Sequence, residues 1–240
     1  MDTVRIGIIG LGNIGFAHAT GIFQGNIPGM TLVGICDISP KMEAIAAESF
    51  PGVPFCKDYE ELLQRQDVDA VIVSVPHPLH SEIAIRAFAC NKHVLVEKPM
   101  DIRLPSAKAL SEAAKASGKV FGIMFNQRTG NLFAKAREIV HSGALGQLKR
   151  SVWIITNWYR TQHYYDSGTW RATWAGEGGG VLVNQAPHQL DLWQWICGMP
   201  ESVTAFCDVA KYHNIEVEDD ATIFVRFPGG ATGTFITSTG

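Results

Sequence analysis

The run Gly10-Leu11-Gly12-Asn13-Ile14-Gly15 stands directly after an apolar strand pattern and opens a helical one. In such a turn the first glycine makes the tight bend, the second admits a pyrophosphate against the backbone, and the third lets helix pack closely on strand. The free N–H groups at the start of the helix, where Asn13 and Ile14 lie, then face the phosphates. Asp37 ends the second predicted strand, 22 residues after Gly15. A carboxylate there can accept from both hydroxyls of an adenosine ribose and would repel a 2′-phosphate. The pattern points to a bound dinucleotide and to NAD over NADP, with Lys41 near enough in sequence to soften that preference.

Two further segments carry candidate chemistry. Glu97-Lys98-Pro99 falls at the carboxyl end of a predicted strand, the rim where open α/β sheets hold ligands. A lysine there, facing a nicotinamide and partly desolvated, can have a lowered pKa and handle a hydroxyl proton; on its own it reads more often as a solvated surface residue. In Gly178-Gly179-Gly180-Val181-Leu182-Val183-Asn184-Gln185-Ala186-Pro187-His188-Gln189-Leu190-Asp191 the glycines read as a helix start. Asn184, His188 and Asp191 would then share one helical face at i, i+4 and i+7. A polar triplet on a buried helix is either an internal hydrogen-bond network or a site. His188 and Asp191 alone are too few ligands for a metal, and none is expected. The stretch from Asn157 to Trp174, with Tyr164 in it, interleaves aromatics with Arg160, His163, Asp166 and Arg171. Such a loop can stack on a polyhydroxylated ligand.

These residues need elements to position them. Apolar, β-branched runs at Val4–Ile9, Thr31–Asp37, Val68–Val75, His93–Glu97 and Val120–Phe125 alternate with helical patterns at Asn13–Phe23, Lys41–Phe50, Leu79–Cys90 and Pro105–Ser117. The alternation predicts an α/β fold with a doubly wound parallel sheet over residues 1–125. From residue 126 to 240 the texture changes. A helix over Asn131–His141, a strand from Leu148, and strands at Val203–Ala210, Ala221–Phe227 and Ala231–Thr237 predict an α+β domain with an open, mostly antiparallel sheet. All six tryptophans fall between 153 and 195, and Trp153, Trp193 and Trp195 read as core.

Composition narrows the classes. With 20 Lys and Arg against 23 Asp and Glu, the 240-residue chain has no basic excess to bind nucleic acid or a membrane surface. No apolar run approaches the length of a membrane span, and the N-terminus lacks the layout of a signal peptide. Five scattered cysteines without a CxxC pair read as reduced thiols in a cytoplasmic protein.

Taken in order, GLGNIG at 10–15, VPHPLH at 75–80, EKP at 97–99, NQR at 126–128, WR at 170–171 and GGGVLVNQAPHQLD at 178–191 make the chain resemble the glucose–fructose oxidoreductase / inositol dehydrogenase (Gfo/Idh/MocA) family. The resemblance implies an N-terminal Rossmann domain and a C-terminal domain whose open sheet packs homodimers or homotetramers. It also implies hydride transfer between a nicotinamide and a secondary alcohol of a sugar or cyclic polyol. It makes Lys98 a contact of substrate hydroxyl and nicotinamide ribose, with a bond to Pro99 that is often cis, and makes His188 the general acid/base. Ser74, Pro76, His80, Glu97 and Asn126 would lie near the nicotinamide half, and Trp170 and Arg171 would approach it from the second domain. Tyr164 and Asn184 join Lys98 and His188 as substrate-binding candidates.

Two departures stand out. The family commonly has aspartate where this chain has Asn184. A neutral amide can orient the histidine or bind a substrate hydroxyl but does not stabilise an imidazolium as a carboxylate does, so His188 is expected to titrate lower and Lys98 to carry more of the proton transfer. Members also usually continue past the point matching Gly240, so the chain reads as truncated relative to a longer parent. Two other activities fit the same residues: an NAD-binding regulator without turnover, and a hydrolase or lyase that cycles its bound NAD.

Overall fold

The computed structural model describes residues 3–240, which divide into two compact units between Met124 and Phe125. The first unit runs β1 (Val4–Ile9), α1 (Asn13–Phe23), β2 (Met30–Cys36), α2 (Pro40–Ser49), β3 (Phe55–Cys56), α3 (Tyr59–Gln64), β4 (Ala70–Val73), α4 (His80–Ala89), β5 (His93–Val96), α5 (Leu104–Ser117) and β6 (Phe121–Ile123). Its six strands form one parallel sheet in the order β3-β2-β1-β4-β5-β6.

Near-continuous apolar strands are what such a sheet requires, because both faces are covered. Ile6 and Ile8 pack with Ala19 and Ile22 of α1, Ala46 of α2 and Phe50 on one side. Ile9, Val71, Val73 and Val96 pack with Leu62, Ile83, Ala84 and Leu110 on the other. The sheet is thus doubly wound, and strand order reverses at β1, with β2 on one side and β4 on the other. The carboxyl ends of β1 and β4 therefore open a crevice.

Two short elements went unread in the sequence. β3 has only two residues, too few for a periodicity, and α3 only six. The local signal for α3 was a cap: Asp58 accepts from the Glu60 N–H at 2.9 Å, with Glu60 and Glu61 in the first turn. Cys36 is buried opposite Cys56, and that burial pushes its thiol up to about 12.

The second unit holds α6 (Asn131–His141), β7 (Arg150–Ile155), α7 (Gln162–Asp166), α8 (Pro187–Cys197), β8 (Ser202–Val209), β9 (Glu218–Arg226) and β10 (Thr232–Ser238). Its sheet has the order β7-β10-β9-β8. β8–β9 and β9–β10 are antiparallel, as their short connections require, while β7 lies parallel to β10. The long excursion from β7 to β10 allows that one parallel pairing. The inner face packs Ile223, Val225, Phe227 and Phe235 against Trp193 of α8. The outer face leaves Val152, Ile154, Phe206 and Phe224 exposed. Trp153 joins the core and donates to Gln189 at 3.0 Å, whereas Trp195 lies under the guanidinium groups of Arg128 and Arg137.

No helix among the described residues is long and apolar enough to cross a membrane. Phe235 is wholly buried against Trp193, with ring centroids 5.5 Å apart. Replacing it with alanine is expected to cost about 3–5 kcal/mol, read by urea unfolding followed through tryptophan fluorescence. A loss below about 1 kcal/mol, the range of a surface substitution, would show that this core collapses around the cavity.

Candidate active site

The glycine turn joins β1 to α1 at the crevice. Gly10 has φ of +90°, and a Cβ on it would lie 2.6 Å from the Ser74 carbonyl oxygen. A Cβ on Gly15 would meet the Gly10 carbonyl at 1.9 Å. Both glycines are therefore dictated by packing of the turn on β4 and on itself. Gly12 is the opposite case: nothing lies within 4 Å of a Cβ built there, and the residue is exposed. No side chain caps α1, and no acidic residue stands in its first turn. The turn thus leaves an open cradle at a positive helix end, fit for a pyrophosphate beside Gly12, Asn13 and Ile14.

Asp37, just past β2, holds the edge of this cradle. Its carboxylate accepts from Leu11 N–H at 2.7 Å and Ser39 N–H at 2.9 Å. Each oxygen keeps further lone pairs for ribose hydroxyls. Ser74 Oγ donates to the Gly10 carbonyl at 2.8 Å and ties the end of β4 to the turn.

The rim continues along β5. Glu97 Oε2 accepts from Lys98 N–H at 3.2 Å, and its Oε1 lies 2.7 Å from Nε2 of His18 on α1. His18 was not read from the sequence, because only folding brings it to Glu97. Lys98 is half-buried, and its bond to Pro99 is cis. His80 is 1% exposed, with its ring nitrogens 2.7 Å from the Pro99 carbonyl and 2.8 Å from the Val75 carbonyl. It braces the Lys98–Pro99 segment against the segment that holds exposed Pro76.

In the second unit, Asn126 opens a short turn and is exposed. The next two residues anchor that turn to α8: Gln127 accepts from Gln189 at 2.7 Å, and Arg128 grips Asp191 with two bonds of 2.7 and 2.5 Å. The carboxylate in turn raises the guanidinium pKa of Arg128. Asp191 is thereby a structural anion, which resolves one member of the sequence triplet.

The helical face expected for Asn184, His188 and Asp191 is not formed. α8 begins at Pro187, whose fixed φ suits a first helical position, and Asn184 lies in the irregular segment before it. That segment is shaped by Glu218 at the start of β9. Glu218 accepts from Gly180 N–H at 2.9 Å and Leu182 N–H at 3.1 Å, and its carbonyl accepts from Val181 at 2.8 Å. A Cβ at Gly180 would lie 1.8 Å from that carbonyl. The glycines are an approach to β9, not a helix start. His188 sits in the first turn of α8, its ring edge-to-face with Phe125 at 6.0 Å.

The structure does bring Tyr164, Trp170, Arg171 and Asn184 together. Arg171 donates to Tyr164 Oη at 2.8 Å, with its guanidinium 4.5 Å from the Tyr164 ring and 4.8 Å from the Trp170 ring. Asn184 Nδ2 lies 3.4 Å from the same hydroxyl and donates to Glu177. Glu177, 1% exposed, also accepts from Ala172 N–H at 2.7 Å. Neither Glu177 nor Glu218 was read from the sequence, because each serves backbone donors brought to it only by folding.

Known proteins resemble this chain over both of its units. Residues 4–125 match the oxidoreductase family with an NAD-binding Rossmann fold, and residues 133–240 match the GFO/IDH/MocA C-terminal domain. The chain is 27% identical over 236 residues to scyllo-inositol 2-dehydrogenase (NAD(+)) of Bacillus subtilis, covering 96% of this chain and 66% of that protein. It is 29% identical over 235 residues to myo-inositol 2-dehydrogenase of Thermotoga maritima, covering 96% and 67%. The chain thus spans about two thirds of the length of these relatives. Its structure superposes with a TM-score of 0.90 on the WlbA dehydrogenase from Bordetella pertussis, solved with NADH and UDP-GlcNAcA, at 29% identity over 99% of this chain and 71% of that one. With an open phosphate cradle at the β1–α1 turn and both family domains matched in order, the chain belongs to the GFO/IDH/MocA oxidoreductase family.

Proposed function

We propose that the chain is the cofactor- and substrate-holding part of an NAD-dependent dehydrogenase acting on a secondary alcohol or ketone of a sugar or cyclic polyol. The observation that carries this reading is the open cradle at Gly12, flanked by glycines that packing dictates and bordered by the Asp37 carboxylate. When bound, the dinucleotide supplies the hydride acceptor or donor. The residues that would hold it are Gly10, Gly12, Asn13, Ile14 and Gly15 at the pyrophosphate and Asp37 at the adenosine ribose. Ser74, Pro76, Glu97, Asn126, Trp170 and Arg171 are assigned to the nicotinamide half. His80 serves that half by holding the Val75 and Pro99 carbonyls in place.

Lys98 and His188 are assigned the hydroxyl proton of the substrate: one orients the hydroxyl, and the other accepts or returns its proton as the carbon is oxidised or reduced. Tyr164 and Asn184 offer polar groups, and Trp170 an aromatic face, to a polyhydroxylated ring. The exposed apolar strip on the outer face of the second sheet supports association into a homodimer or homotetramer. Five free cysteines support residence in the cytoplasm.

The primary test is NADH formation at 340 nm by the full-length protein with inositols, hexoses and glycosides, beside Lys98→Ala and His188→Ala. Turnover that falls by about 10²–10⁴-fold in each variant, the range for a lost acid or base, is the expected result. NADH binding without turnover on any compound would favour a regulator, and product without net NADH a redox-cycling hydrolase or lyase.

Cofactor preference tests Asp37 separately. The wild-type protein is expected to bind NADH more tightly than NADPH by fluorescence titration. Asp37→Asn keeps an acceptor for Leu11 N–H but removes the charge, and should narrow the ratio of the two dissociation constants about tenfold. An unchanged ratio would remove Asp37 from cofactor selection.

A further inference from the structure

We infer that Arg160 recognises an anionic group on the substrate, a carboxylate or a phosphate, so that the sugar or polyol is an acidic one. The inference rests on the dehydrogenase reading above for its reaction and on the geometry of the second unit for its site.

Arg160 lies in the irregular stretch between β7 and α7, yet its backbone is fastened on both sides. Its N–H donates to the Thr239 carbonyl at 3.0 Å, and its own carbonyl lies 2.8 Å from Nε2 of His213. Thr239 is wholly buried, and its hydroxyl accepts from Tyr165 Oη at 2.8 Å. The His213 side chain is 6% exposed, and its Nδ1 lies 2.9 Å from Oδ2 of wholly buried Asp219. Loops usually leave their main-chain groups to water. Here buried polar contacts from β9 and from the residue after β10 converge on the main chain of one arginine.

The side chain is held as firmly. Its guanidinium carbon is 5.4 Å from the Trp158 ring centroid and 5.0 Å from that of Tyr164. Nη1 donates to the Tyr159 carbonyl at 3.2 Å. A guanidinium held over aromatic faces keeps its charge and has given up much of its rotamer freedom before a ligand arrives. Arg5, Arg65, Arg86 and Arg128 each bond a carboxylate, whereas Arg160 pairs with none among the described residues. Its Nε is buried, but Nη2 reaches the surface and bonds to no described residue. Nη2 and the second N–H of Nη1 therefore remain as donors, and such donors bind most strongly to oxygens that carry charge.

Tyr164 ties this arginine to the groups assigned to the substrate. The guanidinium carbon of Arg171 is 4.5 Å from the same ring centroid, and Arg171 donates to Tyr164 Oη at 2.8 Å. That oxygen also lies 3.4 Å from Nδ2 of Asn184. Arg171 likewise pairs with no carboxylate among the described residues, and Asp166 of the same stretch is exposed and accepts from Gln162. An anionic group at Arg160 thus sits beside Tyr164 in the field of two positive charges. A neutral ring would leave that field unanswered.

Substrate preference tests the inference in the full-length protein, with NADH formation from D-glucose, D-glucuronate and D-glucose 6-phosphate. These sugars differ only at C6, which carries a hydroxyl, a carboxylate or a phosphate. The wild type should favour one of the acidic sugars over glucose by about tenfold or more in kcat/KM, and the better of the two identifies the anion. Arg160→Gln keeps donors but removes the charge, and should lower that preference about tenfold. R160K keeps the charge without the planar fork and should fall between the two. In the wild type alone, added salt should shrink the preference, a reading that needs no variant. Equal use of the three sugars, a preference for glucose, or a preference untouched by R160Q and by salt overturns the inference.

Binding separates this inference from the dehydrogenase reading. If none of the sugars is oxidised, glucuronate and glucose 6-phosphate are titrated with NAD present, followed through tryptophan fluorescence with Trp158 beside the guanidinium. An acidic sugar that binds the wild type about tenfold more tightly than R160Q keeps the anion site while the dehydrogenase reading falls. Failure of both acidic sugars to bind, or equal binding by R160Q, overturns the anion site.

Discussion

Buried and half-buried carboxylates that accept from backbone N–H groups shape the segments on which the candidate site depends. A turn or loop that departs from helix and sheet leaves its N–H groups without partners, and a buried, unpaired donor costs roughly 1–3 kcal/mol. Asp37 accepts from Leu11 in the glycine turn. Glu218 accepts from Gly180 and Leu182, and Glu177 from Ala172, a non-glycine residue at φ of +51°. Asp219, wholly buried, accepts from Lys211, Tyr212 and His213. In each case one side chain satisfies irregular backbone that no regular ladder could.

The first unit shows how little such support a site needs when the fold itself supplies the crevice. Strand order reverses at β1, so the ends of β1 and β4 are not covered by a common crossover. The glycine turn fills that gap because Gly10 and Gly15 allow contact with Ser74 and with each other that no side chain would permit. His80 and the His18–Glu97 pair then brace the neighbouring rim at Lys98. The second unit lacks a switch point and builds its polar cluster from an irregular segment instead. Glu218, Glu177 and the Arg128–Asp191 pair hold the segment around Asn184 and the start of α8.

Most of the first unit was legible because its signals are local. Continuous apolar runs mark strands buried on both faces, and GLGNIG and Asp37 carry their meaning within a single βαβ stretch. β3 was too short to show a period. In the second unit the alternation of β7, β9 and β10 was readable, whereas the parallel pairing of β7 with β10 was not, since nothing in either strand specifies its neighbour. The reading of Asn184 on a helix failed for a related reason. Helical spacing from 184 to 191 is arithmetically correct, but Pro187 starts the helix and Glu218, from 34 residues later in the sequence, occupies the backbone before it.

The sequence by itself determined the doubly wound first unit, the dinucleotide turn, the carboxylate beside it and the set of polar residues from which a site can be drawn. These follow from period, glycine placement and residue chemistry over short spans. Only the tertiary structure decided which partners fold against those polar residues. Asp191 is held by Arg128, His80 lies between two carbonyls, and the Asn184 amide donates to Glu177. The reason is physical: a hydrogen-bonding group takes its role from the partner that folding places against it, and those partners lie elsewhere in the chain.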